Sequence, residues 1–243
     1  MKNSHYVYIA SCVFTREYPE LSMKIQDYLT KNFNIPVMRC CVPKYKLKEF
    51  TNSMPDWLQN HWDNTPDFLD ITPNQTIIYV CHNCSAIFEE YRPNIKRISL
   101  WEFILNDKNF KFSNHNNEKI SLQDCWRSHD NYTEQKSVRT LLKKMNINIV
   151  ELENNYEKTN FCGDSLYKPA PPRNLKLAPN RFVKNANGKF IPHSIEEREE
   201  LMKKYCSKII TTEKVIAYCH YCVNGLKLGK KQGIHLAELL FNT

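Results

Sequence analysis

The chain has 243 residues, is 42% apolar, and carries a formal net charge of +8 with ten cysteines and only five glycines. That length supports one large or two small hydrophobic cores, and the composition, free of low-complexity tracts, excludes a largely disordered chain. No apolar run approaches the roughly 20 residues that cross a bilayer, so no membrane partner is expected.

The N-terminal "MKNSHYVYIASCVF" has one lysine and a short, interrupted apolar run. It lacks a signal-peptide core and reads as a first strand, which sets the expected location as cytoplasmic. In that compartment thiols stay reduced, so ten cysteines point to metal binding or redox chemistry rather than to a disulfide scaffold. Positive charge suits an acidic electron carrier or a nucleic acid and selects neither; a nucleic acid is not the expected partner.

In chain order, "HYVYIA" predicts a strand that ends at Cys12. "YPELSMKIQDYLTKNF" spaces Leu21, Ile25, Leu29 and Phe33 as one face of a helix. "MRCCVPKY" sets Cys40 beside Cys41, a pair poorly placed to bond to each other. "TIIYVCHNCSAIFEEY" begins as a strand, passes through Cys81 and Cys84, and continues as a helix. "RISLWEFILN" follows.

The plan then repeats. "KISLQD" leads to Cys125, and "TEQKSVRTLLKKMN" places Val138, Leu141, Leu142 and Met145 on one helical face. "NINIVEL" is strand-like, and "NFCGDS" carries Cys162 where the first half has its cysteine pair. The proline-rich, basic segment 168–192 reads as a long surface loop. "SIEEREELMKKYC" opens with Ser194 and acidic residues, a helix start. "KVIAYCHYCVNGLKLG" repeats the Cys-His-x-Cys step at Cys219 and Cys222, and "GIHLAELLFN" mirrors "RISLWEFILN". Alternating strands and helices predict an α/β fold of two pseudo-repeated, three-layer-like halves with mainly parallel strands, 1–112 and 113–243. The cysteines then lie at the C-terminal ends of the strands, the sheet edge where such folds bind ligands.

The candidate ligands are therefore Cys12, Cys40, Cys41, Cys81 and Cys84 in the first half, and Cys125, Cys162, Cys219 and Cys222 in the second. Cys206, at the end of an amphipathic helix, reads as a core thiol. Four thiolates suit a tetrahedral zinc ion and equally a [4Fe–4S] cube. Five suggest a multi-iron centre in which Cys40 and Cys41 reach different irons. Asp124 and Asp164 lie near proposed ligands and are possible substitutes, with solvated carboxylates the commoner case.

The order Cys, Cys-Cys, CxxC, repeated over nearly the whole chain, resembles the CCG-domain family, the cysteine-rich repeat of the HdrB component of heterodisulfide reductase. The resemblance implies an iron–sulfur redox protein, with a noncubane [4Fe–4S] cluster on Cys12, Cys40, Cys41, Cys81 and Cys84. The second site would hold a [4Fe–4S] cluster, zinc or nothing. It further implies electron transfer or reduction of a small thiol or disulfide substrate, with a ferredoxin-like or HdrC-like electron donor. Two departures stand out: the first motif is "CCVP", where Val42 would strain a turn that needs positive φ, and Phe161 replaces the first cysteine of the second pair.

His82 and His220, inside the CxxC motifs, are candidate proton donors; the plainer expectation is an exposed loop histidine. Lys96, Arg97, Lys227 and Lys230 are candidate contacts for an acidic substrate or carrier, and otherwise solvated surface. Tyr79, Trp101, Trp126 and Tyr218 flank the cysteines as core or as shielding. The other readings are a zinc-binding structural or interaction module whose basic 168–192 segment meets an acidic partner or nucleic acid, and a direct thiol redox pair at each CxxC.

Overall fold

A computed structural model describes residues 5–67 and 71–241. Two all-parallel, four-stranded sheets with the same order form its framework. In the first, β1 (Tyr6–Ala10) is followed by α1 (Cys12–Glu17), α2 (Pro19–Phe33) and β2 (Val37–Arg39). The helices α3 (Leu47–Asn52) and α4 (Asp56–Asn64) lead to β3 (Thr76–Tyr79), α5 (His82–Tyr91), β4 (Lys96–Ser99) and α6 (Leu100–Asn106). The second begins with β5 (Glu118–Gln123), a 3-10 turn at Trp126–Ser128, α7 (Tyr132–Lys144) and β6 (Ile147–Glu151). Next come 3-10 turns at Tyr156–Lys158 and Gly163–Tyr167, then α8 (Pro172–Leu177), α9 (Pro179–Phe182) and a 3-10 turn at Lys184–Ala186. The chain closes with α10 (Ile195–Ile209), β7 (Lys214–Ala217), α11 (His220–Leu228), β8 (Gln232–His235) and α12 (Leu236–Phe241).

The strand orders are β2-β1-β3-β4 and β6-β5-β7-β8. Each sheet changes winding direction between its two central strands, β1 and β3 or β5 and β7. In such sheets the crevice beyond the carboxyl ends of those strands is where ligands bind. The cysteines that follow them are Cys12 and Cys81 in one sheet, Cys125 and Cys219 in the other. The two-half α/β architecture with cysteines at strand ends thus follows from the repeat. Contacts divide the chain into compact units 1–100 and 101–243, so α6 begins at the boundary.

Central strands read as continuous apolar runs because helices cover both faces of a parallel sheet. All four residues of β3 are buried, as are Val7 to Ala10 of β1. The α2 helix starts with Pro19, whose fixed φ suits a first turn, and ends at Asn34 in the left-handed region. Its Leu21, Ile25 and Leu29 are buried as the spacing requires, but Phe33 in its last turn is exposed. In α7, Val138, Leu141 and Leu142 are fully buried together with Met145 at its C-cap. Ser194 caps α10 in a reciprocal capping box with Glu197, which satisfies two otherwise orphaned backbone donors.

The 168–192 segment is not one irregular loop. It folds into α8, α9 and the 3-10 turn at Lys184–Ala186, with prolines at the start of both short helices. Within it, Phe182 and Ala186 are buried. Among the described residues, no helix is long and apolar enough to cross a membrane.

Candidate metal centre

In the second half, backbone geometry gathers four cysteines from three places. Cys125 follows β5 and precedes the Trp126–Ser128 turn. Cys162 precedes the Gly163–Tyr167 turn, and Trp126 N donates to Phe161 O at 2.8 Å, tying these two loops together. Cys219 is the N-cap of α11 in an extended conformation, and Cys222 lies in its first turn. A spacing of three brings both sulfurs to one face of the helix start. There the positive end of the helix dipole favours thiolate.

The approach of the middle loop depends on two glycines. Gly163 has φ +62, and a Cβ there would collide with the carbonyl of Tyr221; a Cβ on Gly225 would collide with Gly163 Cα. The Cys162–Gly163 backbone can lie against α11 only because both side chains are absent. The first half solves this turn differently. Val42 does not take the left-handed conformation; Cys40 does, with φ 59, followed by Lys44 and Lys46. The strain expected at Val42 is thus avoided by moving the left-handed residue to the first cysteine of the pair.

The four sulfurs of Cys125, Cys162, Cys219 and Cys222 lie within 4.8 Å of one another, and all four residues are buried. Cys125 Sγ is 3.3 Å from Cys162 Sγ, which is 3.9 Å from Cys219 Sγ. Burial is the main force pushing the Cys125 and Cys222 thiols up; Cys162 and Cys219 push both further, while Cys125 raises Cys222 and Cys222 pulls Cys125 back down. A bound cation reverses that logic by stabilising the thiolates together.

Sequence reasoning missed Arg127. Its side chain is buried among the sulfurs, and Nη1 donates to Cys162 Sγ and, at 3.1 Å, to Ser165 Oγ. Burial opposes its charge, but Cys162, Cys125 and Cys219 outweigh burial and hold its pKa above the ordinary guanidinium value. An arginine one residue beyond the proposed Trp126 flank carries no local mark of burial, so nothing in its neighbourhood singled it out.

Both proposed carboxylate substitutes are engaged in ion pairs instead. Asp124 receives both Nη atoms of Arg139, at 3.1 and 2.7 Å, along with Tyr218 Oη and the Tyr156 N–H. Asp164 pairs with Arg198 and Lys168. Phe161, in place of a cysteine, stacks on Tyr205 with centroids 4.3 Å apart. Cys206 stands away from the four-sulfur group, and burial pushes its thiol up to about 11.

In the first half, Cys84 hydrogen-bonds with Cys41 and Cys81, and these contacts, ahead of burial, push its thiol well up. Cys12 opens α1 and is buried, as is Cys40, whose N–H donates to Ala10 O at 2.8 Å beside the end of β1. Tyr8 lies fully buried under Cys84 and Cys81, and its hydroxyl has no hydrogen-bond partner.

His82 and His220 are not exposed loop residues. Each is the first residue of its helix, 2% and 1% exposed. Neither ring nitrogen of His220 has a hydrogen-bond partner. Tyr79, Trp101, Trp126 and Tyr218 are buried. Arg97 pairs with Glu89, while Lys96, Lys227 and Lys230 are exposed.

No family model matches this chain, and no curated protein does. Solved structures do match. One is an aspartate racemase homologue from Pyrococcus horikoshii, at 12% identity and TM-score 0.29, covering 98% of this chain and 96% of that one. Another is a glutamate racemase from Bacillus anthracis, at 12% identity and TM-score 0.33, covering 98% and 78%. These two are a racemase homologue and a racemase. On that finding the CCG-domain, heterodisulfide-reductase-like (HdrB-like) assignment is corrected. The iron–sulfur redox function and the oxidoreductase and electron-transfer descriptions are withdrawn with it, and these matches lend no support to the alternative of a structural or interaction module with a basic docking surface. The physical reason is that a Cys, Cys-Cys, CxxC order marks strand ends in a doubly wound sheet, a position that unrelated chemistries share. The likeness to these structures goes no further, and no racemase reaction is carried over to this chain.

Proposed function

We propose that the second half binds a single thiophilic metal ion, zinc foremost, through Cys125, Cys162, Cys219 and Cys222. The observation that carries this is the mutual spacing of the sulfurs, none more than 4.8 Å from another. Zinc–sulfur bonds of about 2.3 Å in a tetrahedron set sulfur–sulfur edges of about 3.8 Å. The observed 3.3 and 3.9 Å bracket that edge. Thiolates on the four corners of an iron–sulfur cube sit on separate irons, roughly 6 Å apart. The spacing therefore favours one ion over a cube.

Charge supports the same reading. Four thiolates and a divalent ion leave two negative charges, and the buried Arg127 guanidinium offsets one of them. The reading is of metal binding alone and assigns no redox reaction to the site. In the first half, Cys41, Cys81 and Cys84, which share hydrogen bonds, form the nucleus of a second thiolate site with Cys12 and Cys40 at the same sheet edge. The expected ferredoxin-like or HdrC-like donor rests on the corrected resemblance and has no separate support. Ten free cysteines suit a reducing compartment, and a cytoplasmic location is proposed on that ground.

The experiment is metal analysis of protein reconstituted under reducing, oxygen-free conditions with Zn2+ or with iron and sulfide. Tightly bound zinc should fall by about one equivalent per chain in Cys222→Ser. Equal zinc in the wild type and in Cys222→Ser, or roughly four irons lost with that substitution, would overturn the single-ion reading.

A further inference from the structure

Arg127 does more than face the sulfurs. Its guanidinium carbon lies 4.6 Å from the ring centroid of Tyr221, 5.6 Å from that of Phe190 and 5.9 Å from that of Phe182. Tyr221 belongs to α11, next to Cys222, whereas Phe182 and Phe190 come from the 168–192 segment. One buried side chain thus bridges a ligand sulfur, Cys162 Sγ, and the aromatic underside of that segment. Two further ties run alongside it. Arg181 Nη2 donates to Asp130 Oδ2 at 2.7 Å, and Trp126 meets the Phe190 ring edge-on at 5.8 Å. The Arg127 Nε has no partner, so its cationic face is satisfied chiefly by rings and sulfur.

We propose that the 168–192 segment is the cover of the four-cysteine site, that Arg127 is the positioning residue that seats it, and that metal enters and leaves when this cover lifts. The inference rests on the metal-binding reading above. Its physical basis is that a guanidinium held by aromatic faces in a water-poor pocket is a strong tether. A second basis is that the tether ends on Cys162, whose position a bound ion fixes. Metal loading and seating of the cover are therefore one coupled event.

The test uses the full chain with Zn2+ alone as the probe. Zinc release to a chromogenic chelator is followed beside tryptic cleavage at Lys176 and Lys184, which are exposed on the cover. In the wild type, zinc should slow cleavage at these sites. Arg127→Met, which keeps the chain length but removes the cation, should release zinc at least about tenfold faster and lose the protection. Arg127→Lys should restore part of both. Phe182→Leu, which leaves Arg127 and every sulfur in place, should also accelerate release, and it decides the matter if Arg127→Met does not fold. Zinc bound as in the wild type and released at the wild-type rate in the variants would overturn the cover. So would cleavage that ignores zinc in the wild type. A wild-type chain that takes up no zinc would instead overturn the metal-binding reading beneath it.

Discussion

At the scale of single residues, what a side chain touches decides its role more than its type does. Cys206 and Cys222 are both buried thiols in the second half, yet only Cys222 joins the four-sulfur group. Cys206 packs on Gly229, where a Cβ would collide with its sulfur. Cys206→Ala should leave metal content unchanged and lower unfolding stability by about 1–2 kcal/mol through the small cavity it opens, measured by urea denaturation. Its thiol is raised in the folded state to about 11. That contribution is whole below the unfolded thiol value and is lost as pH rises through the folded one. Stability between pH 9 and 11 should therefore fall more steeply in the wild type than in Cys206→Ala. Asp124 is a second case. Its carboxylate is enclosed by Arg139, Tyr218 and the Tyr156 N–H. Asp124→Asn leaves Glu151 as the remaining carboxylate partner of the buried Arg139, and should cost about 3–5 kcal/mol in the same denaturation experiment. A cost near zero would mean that Glu151 suffices. Both residues were singled out from the sequence, Cys206 rightly as a core thiol and Asp124 as a possible ligand. The carboxylate's partners come from α7, the Tyr156 turn and the residue after β7, and no local pattern joins them.

At the scale of elements, close approach decides where a ligand can be delivered. The Cys162 loop packs on α11 through Gly163 and Gly225, with no room for a Cβ on either. Gly225→Ala should push that loop away from the helix, cost about 1–3 kcal/mol, and weaken zinc retention. Equilibrium dialysis beside thermal denaturation measures both. Retention at the wild-type level would show that the loop's position does not control the site. The helices themselves were legible: the apolar spacing of α7, the Ser194 start of α10 and the strand-to-helix step at each CxxC all stand in the structure. The cover was not. Prolines and basic residues read locally as an irregular loop, whereas two prolines at helix starts and a buried Phe182 make it short helices pressed on the core.

At the scale of the whole molecule, two sheets of identical order make each half a compact unit with its own switch point. A ligand that binds one folded unit stabilises that unit by mass action, about 2.7 kcal/mol at a hundredfold excess over Kd. Zinc should therefore raise the melting temperature of the transition assigned to residues 101–243, and Cys222→Ser should abolish the shift. Calorimetry with and without zinc checks this; a shift that survives in Cys222→Ser would place the stabilising ion elsewhere. Sequence alone determined the alternation of strands and helices, the duplication, and the set of cysteines at strand ends, because periodicity, capping and repeats are written over short spans of chain. Tertiary structure alone decided which sulfurs meet, across separations of 37 and 57 residues, and that an arginine with no local signature is buried among them. Convergence at that range is set by strand order, by two glycines that admit a close backbone, and by the packing of a distant segment, and none of these is a property of any one stretch of sequence.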